Sequence, residues 1–419
     1  MARLRCATIA VLLATGCDVR SQVAQPVPAP VPTRVAVELA ATLPAAPTKI
    51  RVMVGGDMLP HRPMLLAPER LRDALAPLAP LLSTADIAIA NYETSTGDTS
   101  RFAARDISLA APPEWLAAAA SSFGAVTVAN NHACDLGTRG LSATLAAARD
   151  ARVLAIGGDE KSPWEPRTLV EKDGRRVCAI AWTTFVNAEG HACSGSGKLA
   201  LAGLDKEGER TIARAVAHAR ASGCDATLAI FHGGKEYETQ QWSGLVQARI
   251  AADAGADAVV IHHPHVPSPV RVYVTRDGRK VPIFESVGNL VSNQGESYRP
   301  TYPPVSPQRL VSLNGWTRLG VIADLEWAWP AGSEFLSRPS LAYGFHLTWT
   351  ENEHVTNRAT PSPRITVRLV EPALDHALVE KLKTDRDGPV ELFEDACWMD
   401  LHGSRCVPMP TQAERTASL

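Results

Sequence analysis

Short apolar runs alternate with longer amphipathic stretches through the first two thirds of the chain. Apolar runs bounded by glycine and polar residues predict buried strands, and stretches whose apolar residues recur at helical spacing predict helices. The predicted strands are 50–54, 86–90, 124–129, 152–156, 225–231 and 257–261, and the predicted helices are 69–82, 137–149, 207–220 and 240–253. Strands that alternate with helices indicate an α/β fold.

Two pairs of predicted strands are joined by Asp-Gly, a favoured turn between strands. Asp173-Gly174 joins 168–172 to 176–182, and Asp277-Gly278 joins 270–275 to 280–285. Further strands are predicted at 320–327, 343–349 and 364–370. An α/β first part with β-rich C-terminal elements predicts two sheets packed face to face, with helices outside.

Five predicted strands end in side chains of the types that metals bind in proteins. Ligands collect in the crevice beyond the carboxyl ends of strands, and carboxylates, amides and imidazoles together suit zinc, manganese or iron. Singly, a histidine there would more often be a hydrogen-bonded core residue and an aspartate a helix cap. Five such ends at one edge are hard to explain by capping, so we predict a metal site formed by Asp57, Glu93, Asn131-His132, His232 and His262-His263-Pro264-His265.

Composition narrows the function only slightly. The 419 residues are 45% hydrophobic and 21% charged, enough for one large globular domain or two. The net charge is −2 and the sequence has no basic stripe, so we expect no nucleic-acid partner.

The N-terminus has the pattern of an export signal. Two early arginines precede the apolar run 7–13, which is too short to span a bilayer, and Ala14-Thr15-Gly16-Cys17 follows. This ending resembles a bacterial lipoprotein signal, which implies lipidation of Cys17, although Ala14 stands where leucine is usual. Cleavage by an ordinary signal peptidase is the alternative. Asp18 resembles an inner-membrane retention signal, so the expected location is the periplasmic face of the inner membrane.

The following residues are rich in proline, alanine and valine, which predicts a semi-extended tether, although an ordinary disordered terminus has the same composition. We predict a lipoprotein-type signal peptide in 1–17, the tether in 18–48, the folded domain in 49–370 and a C-terminal extension in 371–419.

Six cysteines remain once Cys6 is removed with the signal and Cys17 is assigned to lipid. They could pair in an oxidising compartment. Cys397 with Cys406 is the favoured pair, because the residues between them can turn the chain back. Cys178 lies in an apolar strand and is predicted to be a buried free thiol.

The strand-end residues carry a resemblance to the poly-gamma-glutamate capsule synthesis protein CapA family, a branch of the calcineurin-like metallophosphatase superfamily. It extends over about 49–328 and implies a four-layer αββα sandwich of metallophosphatase type, with a metal centre at the strand ends. The motifs that carry it are Gly56-Asp57, Asn91-Tyr92-Glu93, Asn130-Asn131-His132-Ala133 with Asp135 and Gly137, His232 with Glu236-Tyr237, Gly255-Ala256-Asp257, His263-Pro264-His265-Val266 and Ser286-Val287-Gly288-Asn289-Leu290.

The resemblance also implies roles for these residues. The centre would hold one or two divalent ions of manganese, iron or zinc, and Glu93 stands where the superfamily has the acid that bridges them. His132 would be the catalytic acid. Asp135, three residues on, could orient His132. The implied metal ligands are Asp57, Glu93, Asn131, His232, His263 and His265.

Two positions depart from the superfamily pattern. Leu59 stands where the first motif has a histidine, with only His61 nearby, so the first ion would be held loosely or be absent. Gly233 replaces the aromatic residue usual after the fourth-motif histidine, which predicts a more open pocket wall.

Three basic residues follow the ligand-bearing turns and could receive an anionic substrate, although a solvated rim has the same composition. They are Arg62, Arg139 and Lys235.

Three functions fit these features. The first is an envelope-anchored protein for synthesis or attachment of an anionic capsule polymer, with a metal-dependent hydrolase or transferase site and the capsule synthesis machinery as partner. The second is a metallophosphoesterase acting on a small phosphoester. The third is a non-catalytic polymer-binding assembly protein, to which Leu59 gives some weight.

Overall fold

The computed structural model describes residues 46–61, 64–100, 108–187, 193, 195–239, 242–299, 311–333, 337–353, 364–384, 390–394 and 397–399. The predicted signal with Cys17, and the tether up to residue 45, lie outside them. Within these ranges, the helices are all too short or too polar to cross a membrane.

The secondary structure consists of sixteen strands and eight α-helices in the described part of the chain. The strands are β1 (Thr48–Met58), β2 (Ile87–Tyr92), β3 (Ser95–Thr96), β4 (Ala110–Ala111), β5 (Ala125–Thr127), β6 (Leu154–Ile156), β7 (Arg167–Lys172), β8 (Arg175–Thr183), β9 (Ala226–His232), β10 (Ala258–His262), β11 (Pro267–Val274), β12 (Lys280–Val287), β13 (Asn289–Val291), β14 (Leu319–Trp329), β15 (Ser340–Asn352) and β16 (Ile365–Leu369). The helices are α1 (Pro68–Leu75), α2 (Ala79–Leu82), α3 (Pro113–Ala119), α4 (Gly137–Asp150), α5 (Lys206–Ala221), α6 (Trp242–Ala254), α7 (His376–Thr384) and α8 (Val390–Glu394).

The strands form one eight-stranded sheet, one six-stranded sheet and a small pair, β3 with β4. The larger sheet has the order β16-β15-β14-β1-β2-β5-β6, with β13 also paired to β1. Its half from β1 to β6 is parallel, and β14 to β16 are antiparallel. The six-stranded sheet has the order β11-β12-β10-β9-β8-β7, parallel from β12 to β8. Parallel neighbours need crossover connections, which the helices supply.

Both sheets are buried on both faces. Successive side chains of a strand point to opposite faces of its sheet, and neighbouring residues here belong to different apolar clusters. In β1, Val52 and Val54 belong to an apolar cluster shared with the six-stranded sheet, whereas Met53 packs in a second cluster with α1, α3 and α4. In β9, Leu228 belongs to the shared cluster and Phe231 to a third cluster with α5 and α6. The predicted mixed α/β class, with a β-rich C-terminal part, is therefore confirmed.

The predicted elements are present with shifted ends. Both Asp-Gly hairpins form, as β7–β8 and β11–β12. The predicted helix 69–82 is interrupted by a 3-10 turn at Ala76–Leu78, because Pro77 and Pro80 lack the N–H that a continuous helix needs. Strand β1 continues through Asp57, which therefore lies within the strand and not after it.

The prediction that Cys178 is a free thiol is wrong. Cys178 in β8 forms a disulfide with Cys224, which lies just before the neighbouring strand β9, at a Cα–Cα distance of 5.8 Å. The apolar pattern indicated burial correctly, but strand adjacency is a tertiary property that the pattern does not contain. Cys397 is also disulfide-bonded, and its predicted partner Cys406 lies outside the described residues.

Residues of the predicted C-terminal extension pack against the same core. Val379 and Leu382 of α7, and Leu392 and Phe393 of α8, belong to the cluster shared by the two sheets. Helix α8 also lies beside the edge strand β11, where Arg271 pairs with Glu391.

Candidate metal centre

The carboxyl ends of five strands from both sheets meet at one place. Strands β1, β2 and β5 come from the larger sheet, and β9 and β10 from the six-stranded sheet. The structure brings all six predicted metal ligands together there and buries them: Asp57, Glu93, Asn131, His232, His263 and His265.

Glu93 lies at the middle of this cluster. It belongs to two groups of potential metal ligands, one with His263 and His265 and one with Asp57 and His232. The ligand atoms of each group lie within 4.8 Å of one another. Oε1 of Glu93 is 3.5 Å from Nε2 of His232 and 3.6 Å from Nε2 of His265.

Neither carboxylate oxygen of Glu93 has a hydrogen-bond partner among the described residues, although the side chain is fully buried. An ionised carboxylate buried without partners costs several kcal/mol or takes up a proton. Burial raises the pKa of Glu93 well above its ordinary value, and the negative charge of Asp57 raises it further. A divalent cation bound by both oxygens and the nearby imidazoles would remove this cost, so the residues fit a metal site.

Asp57 is fixed by hydrogen bonds on both oxygens. Asn91 donates to Oδ1 at 2.8 Å, the backbone N–H of His263 donates to Oδ2 at 3.2 Å, and Nδ1 of His265 also lies 3.2 Å from Oδ2. Burial by itself would raise the pKa of Asp57, but the bond with His265 and the surrounding imidazoles hold it below its ordinary value. The two carboxyl groups therefore have opposite pKa shifts.

Two of the three predicted histidine ligands, His232 and His263, are held in a form that binds metals. Nε2 of His232 lies 2.8 Å from Oδ1 of Asn131 and 3.2 Å from Nδ1 of His263. Burial lowers the pKa of His232 well below its ordinary value and that of His263 to about 3. Both imidazoles are thus neutral at physiological pH, and a neutral imidazole is the metal-binding form. For His265, burial by itself would lower the pKa, but the hydrogen bond and charge of Asp57 raise it.

The backbone at the cluster is strained. His263 has φ of 101°, His265 has φ of 59° and Tyr237, whose N–H donates to Pro264 O at 2.8 Å, has φ of 60°. Residues other than glycine seldom adopt these φ angles. Such backbone strain costs of order 1–3 kcal/mol per residue and is common at functional sites.

His132 and Asp135 form a pair beside the ligands. Nδ1 of His132 lies 2.7 Å from Oδ2 of Asp135, which also accepts a hydrogen bond from the backbone N–H of Leu109. The structure thus has the contact by which Asp135 would orient His132, while their catalytic roles stay predictions.

The predicted substrate-binding residues lie at the surface where they are described. Arg139 is exposed in the first turns of α4, and Lys235 is exposed and paired with Glu238. Arg62 lies outside the described residues. Their role toward an anion stays a prediction.

The two departures from the superfamily pattern have local explanations. Leu59 is buried and its backbone N–H donates to Val291 O at 3.0 Å, and Nδ1 of His61 accepts a hydrogen bond from the backbone N–H of Asn293 at 3.0 Å. A Cβ at position 233 would lie 2.6 Å from side-chain atoms of Thr184, so Thr184 takes the space beside Gly233.

Three further amides contact the site residues, and the sequence assigned none of them a role in the site. Asn91 contacts both Asp57 and His232, and Asn289 lies 3.0 Å from Nδ1 of His265. Asn187 contacts His132 and Asp135 at 3.2 and 3.4 Å. Asn91 and Asn289 belong to the family motifs, whereas Asn187 follows β8, which the sequence shows only as one arm of a hairpin. Recognising that β8 runs parallel to β9 would have directed attention to its carboxyl end.

The fold and the site define a mixed α/β protein in which parallel strands converge on a buried cluster of carboxylates and imidazoles suited to a metal. The profile of the family described as bacterial capsule synthesis protein PGA_cap matches residues 51–294, more than half of the chain. The chain belongs to this family, and the resemblance identified in the sequence is confirmed.

Two curated relatives carry related names. The chain is 30% identical over 213 residues to the PGA biosynthesis protein CapA of Bacillus subtilis (strain 168), covering 50% of this chain and 53% of that protein. It is 27% identical over 232 residues to the capsule biosynthesis protein CapA of Bacillus anthracis, covering 52% and 53%. The chain thus matches about half the length of each relative.

Proposed function

We propose that this protein is a metal-dependent enzyme of capsule biosynthesis that hydrolyses or transfers an anionic polymer such as poly-gamma-glutamate. The observation that carries the proposal is that Glu93 is fully buried between two groups of potential metal ligands, with neither carboxylate oxygen hydrogen-bonded to a described residue. The polymer class comes from the family and from the names of the two relatives.

The proposed architecture is a four-layer αββα sandwich of metallophosphatase type. Its support is the composition of the apolar clusters: one is shared by the two sheets, one joins the larger sheet to α1, α3 and α4, and one joins the six-stranded sheet to α5 and α6.

In the proposed mechanism, Asp57, Glu93 and His265 would hold one divalent ion, and Glu93 with Asn131, His232 and His263 would hold a second. This division follows the family resemblance and the contacts of His265 with Asp57 and of His232 with Asn131 and His263, and it differs from the two groups defined by ligand distances alone. A bound manganese, iron or zinc ion would supply Lewis acidity toward the bond that is attacked.

His132 supplies the proton in this mechanism. Its Nδ1 faces Asp135, so Nε2 is the nitrogen that can present a proton to the leaving group, and Asp135 fixes the ring while the proton moves. That leaving group is an amine nitrogen in a polyglutamate and an oxygen in a phosphoester.

We also propose an envelope location, with Cys17 lipidated and residues 18–48 as the tether. Disulfides persist in oxidising compartments, so Cys134–Cys193 and Cys178–Cys224 support export.

The first test is metal content. Glu93→Gln should lose most of the metal bound by the wild type, because one carboxylate oxygen of the shared ligand is replaced by an amide NH2 that cannot bind a cation. Elemental analysis of the purified proteins measures this. Glu285→Gln is the matched control, because Glu285 is also buried with a raised pKa but pairs with Arg271. A wild type without bound transition metal would refute the proposal.

The second test separates ligand from acid. Asn131→Ala should lower both metal content and turnover. His132→Ala should keep the metal and lose roughly 10²–10⁴-fold in turnover of an alkyl phosphoester, but far less with a nitrophenyl ester whose leaving group needs no proton. Turnover of both substrates, with metal measured alongside, decides this. If His132→Ala empties the site, His132 is a ligand.

One observation favours a non-catalytic polymer-binding protein as the second candidate. Leu59 is 2% exposed and puts an apolar side chain where the superfamily has a ligand. If the wild type binds metal but turns over neither phosphoesters nor polyglutamate, this second function is the better one.

A further inference from the structure

Asn187 lies between two proposed functional groups. Its Oδ1 accepts a hydrogen bond from Nδ2 of Asn131 at 3.3 Å. Its Nδ2 lies 3.2 Å from Nδ1 of His132 and 3.4 Å from Oδ1 of Asp135. A single amide therefore contacts a proposed metal ligand on one side and the proposed acid with its carboxylate partner on the other.

Three contacts fasten the segment that carries Asn187. Its backbone N–H donates to the carbonyl oxygen of Asn131 at 3.0 Å. The preceding Val186 is buried in the same apolar cluster as Cys134 and Cys193. Those two cysteines form a disulfide with a Cα–Cα distance of 5.7 Å. The end of β8 is thereby tied to the loop that carries Asn131.

The contact with Asn131 selects one orientation of its amide. An amide group has a donor and an acceptor end, and rotation by half a turn exchanges them. Because Nδ2 of Asn131 donates to Asn187, its Oδ1 is directed to His232, 2.8 Å from Nε2. Oxygen is the amide atom that binds cations, so Asn187 holds Asn131 in its ligating orientation.

The contact of Asn187 with Asp135 restricts the orientation of the proposed acid, His132. Asp135 faces Nδ1 of His132, and the Asn187 amide donates to the second carboxylate oxygen. Hydrogen bonds behind a functional imidazole fix its ring orientation. Nε2 of His132 is left as the nitrogen directed away from this pair.

The geometry points to Asn187 as a positioning residue that links the metal ligand Asn131 to the acid His132 and is held in place by the Cys134–Cys193 disulfide. The role toward His132 rests on the proposed function. The role toward Asn131 can be tested without turnover.

Two substitutions at one position separate the two contacts. Asn187→Ala removes both and should weaken metal affinity by about 10- to 100-fold, measured by competition with a chromogenic chelator. Asn187→Asp keeps an acceptor for Asn131 but lacks the donor to Asp135. It should keep the affinity and lose about 10-fold or more in turnover of an alkyl phosphoester, with a much smaller loss for the nitrophenyl ester. The proposal is overturned if Asn187→Ala keeps full affinity, or if Asn187→Asp loses as much as Asn187→Ala.

The disulfide has a matched control within the same chain. The double variant Cys134→Ser/Cys193→Ser should reproduce the loss of affinity caused by Asn187→Ala. The double variant Cys178→Ser/Cys224→Ser removes a disulfide that lies in the cluster with α5 and α6, so it should lower the unfolding temperature and keep the affinity. Equal losses of affinity in both double variants would overturn the clamping role.

The outcomes for this proposal and for the proposed function are distinct. If the wild type binds a cation but turns over neither phosphoesters nor polyglutamate, the proposed chemistry fails, while the affinities of the two Asn187 variants still decide whether Asn187 orients Asn131. Thermal unfolding of each variant excludes a general loss of structure. A wild type that binds no cation overturns both.

Discussion

At the scale of single residues, the centre is organised by the contrast between two buried acids. Asp57 accepts three hydrogen bonds or close imidazole contacts and keeps its charge, whereas Glu93 has neither oxygen satisfied within the described residues. In the proposed function, a bound cation would remove the cost of burying Glu93, so metal binding would stabilise the fold.

The pKa of Glu93 leads to a pH-dependent prediction for the metal-free protein. Since its pKa is raised in the folded state, folding takes up a proton, and the stability contributed by the protonated form is lost as pH rises above the ordinary glutamate range. Glu93→Gln lacks this loss. With chelator present, the variant should therefore unfold at a higher temperature than the wild type near pH 7, and the difference should shrink toward pH 4.

Differential scanning calorimetry between pH 4 and 8 checks this prediction. Asp57 has the opposite shift and loses its contribution at low pH, but it is present in both proteins, so the comparison isolates Glu93. Parallel pH profiles for the two proteins would contradict the argument.

At the scale of elements, the site depends on how closely β1 approaches the turn after β12. The backbone N–H of Asp57 donates to Gly288 O at 3.0 Å, and a Cβ at position 56 would lie 2.0 Å from the same oxygen. Only glycine at position 56 permits this approach, and Asp57 takes its place in the cluster because of it.

We expect Gly56→Ala to destabilise the fold by about 1–3 kcal/mol or more, since a backbone atom and not a flexible side chain must move. It should also lower metal content by displacing Asp57. Gly195→Ala is the control, because Gly195 is exposed and an added Cβ meets no atom of the described residues within 4 Å. Chemical denaturation and elemental analysis measure the two effects, and equal stability of both variants would show that β1 can move away from Gly288.

The local sequence pattern was sufficient to predict the helices and strands, but not which strands lie next to each other in the sheets. Continuous apolar runs predicted β9 and β10, and Asp-Gly predicted both hairpins, because these depend on nearby residues alone. The β8–β9 pairing, the Cys178–Cys224 disulfide and the place of Asn187 depend on which distant strands adjoin. Nothing within a few residues of Asn187 indicates that it faces His132.

At the scale of the whole molecule, the ligands were predictable as a set because each one ends a buried strand, and the carboxyl ends of neighbouring parallel strands share an edge. Their division between two sheets came from the resemblance and from the pattern of closing hairpins. The role of Glu93 was implied by the family motif. That its oxygens accept no hydrogen bond from the described residues could be found only from the packing.

The cluster joins residues that are far apart in the chain. The His263 N–H and the Asp57 carboxylate that accepts its hydrogen bond are 206 positions apart. Asp57 lies in the larger sheet, and His263 directly follows β10 of the six-stranded sheet. In the proposed function, a cation would be bound only after both sheets have met, so metal loading would be a late step of maturation. Metal content would then measure the fraction of correctly assembled molecules. A chain truncated before His265 would lack its ion and would be exposed to degradation.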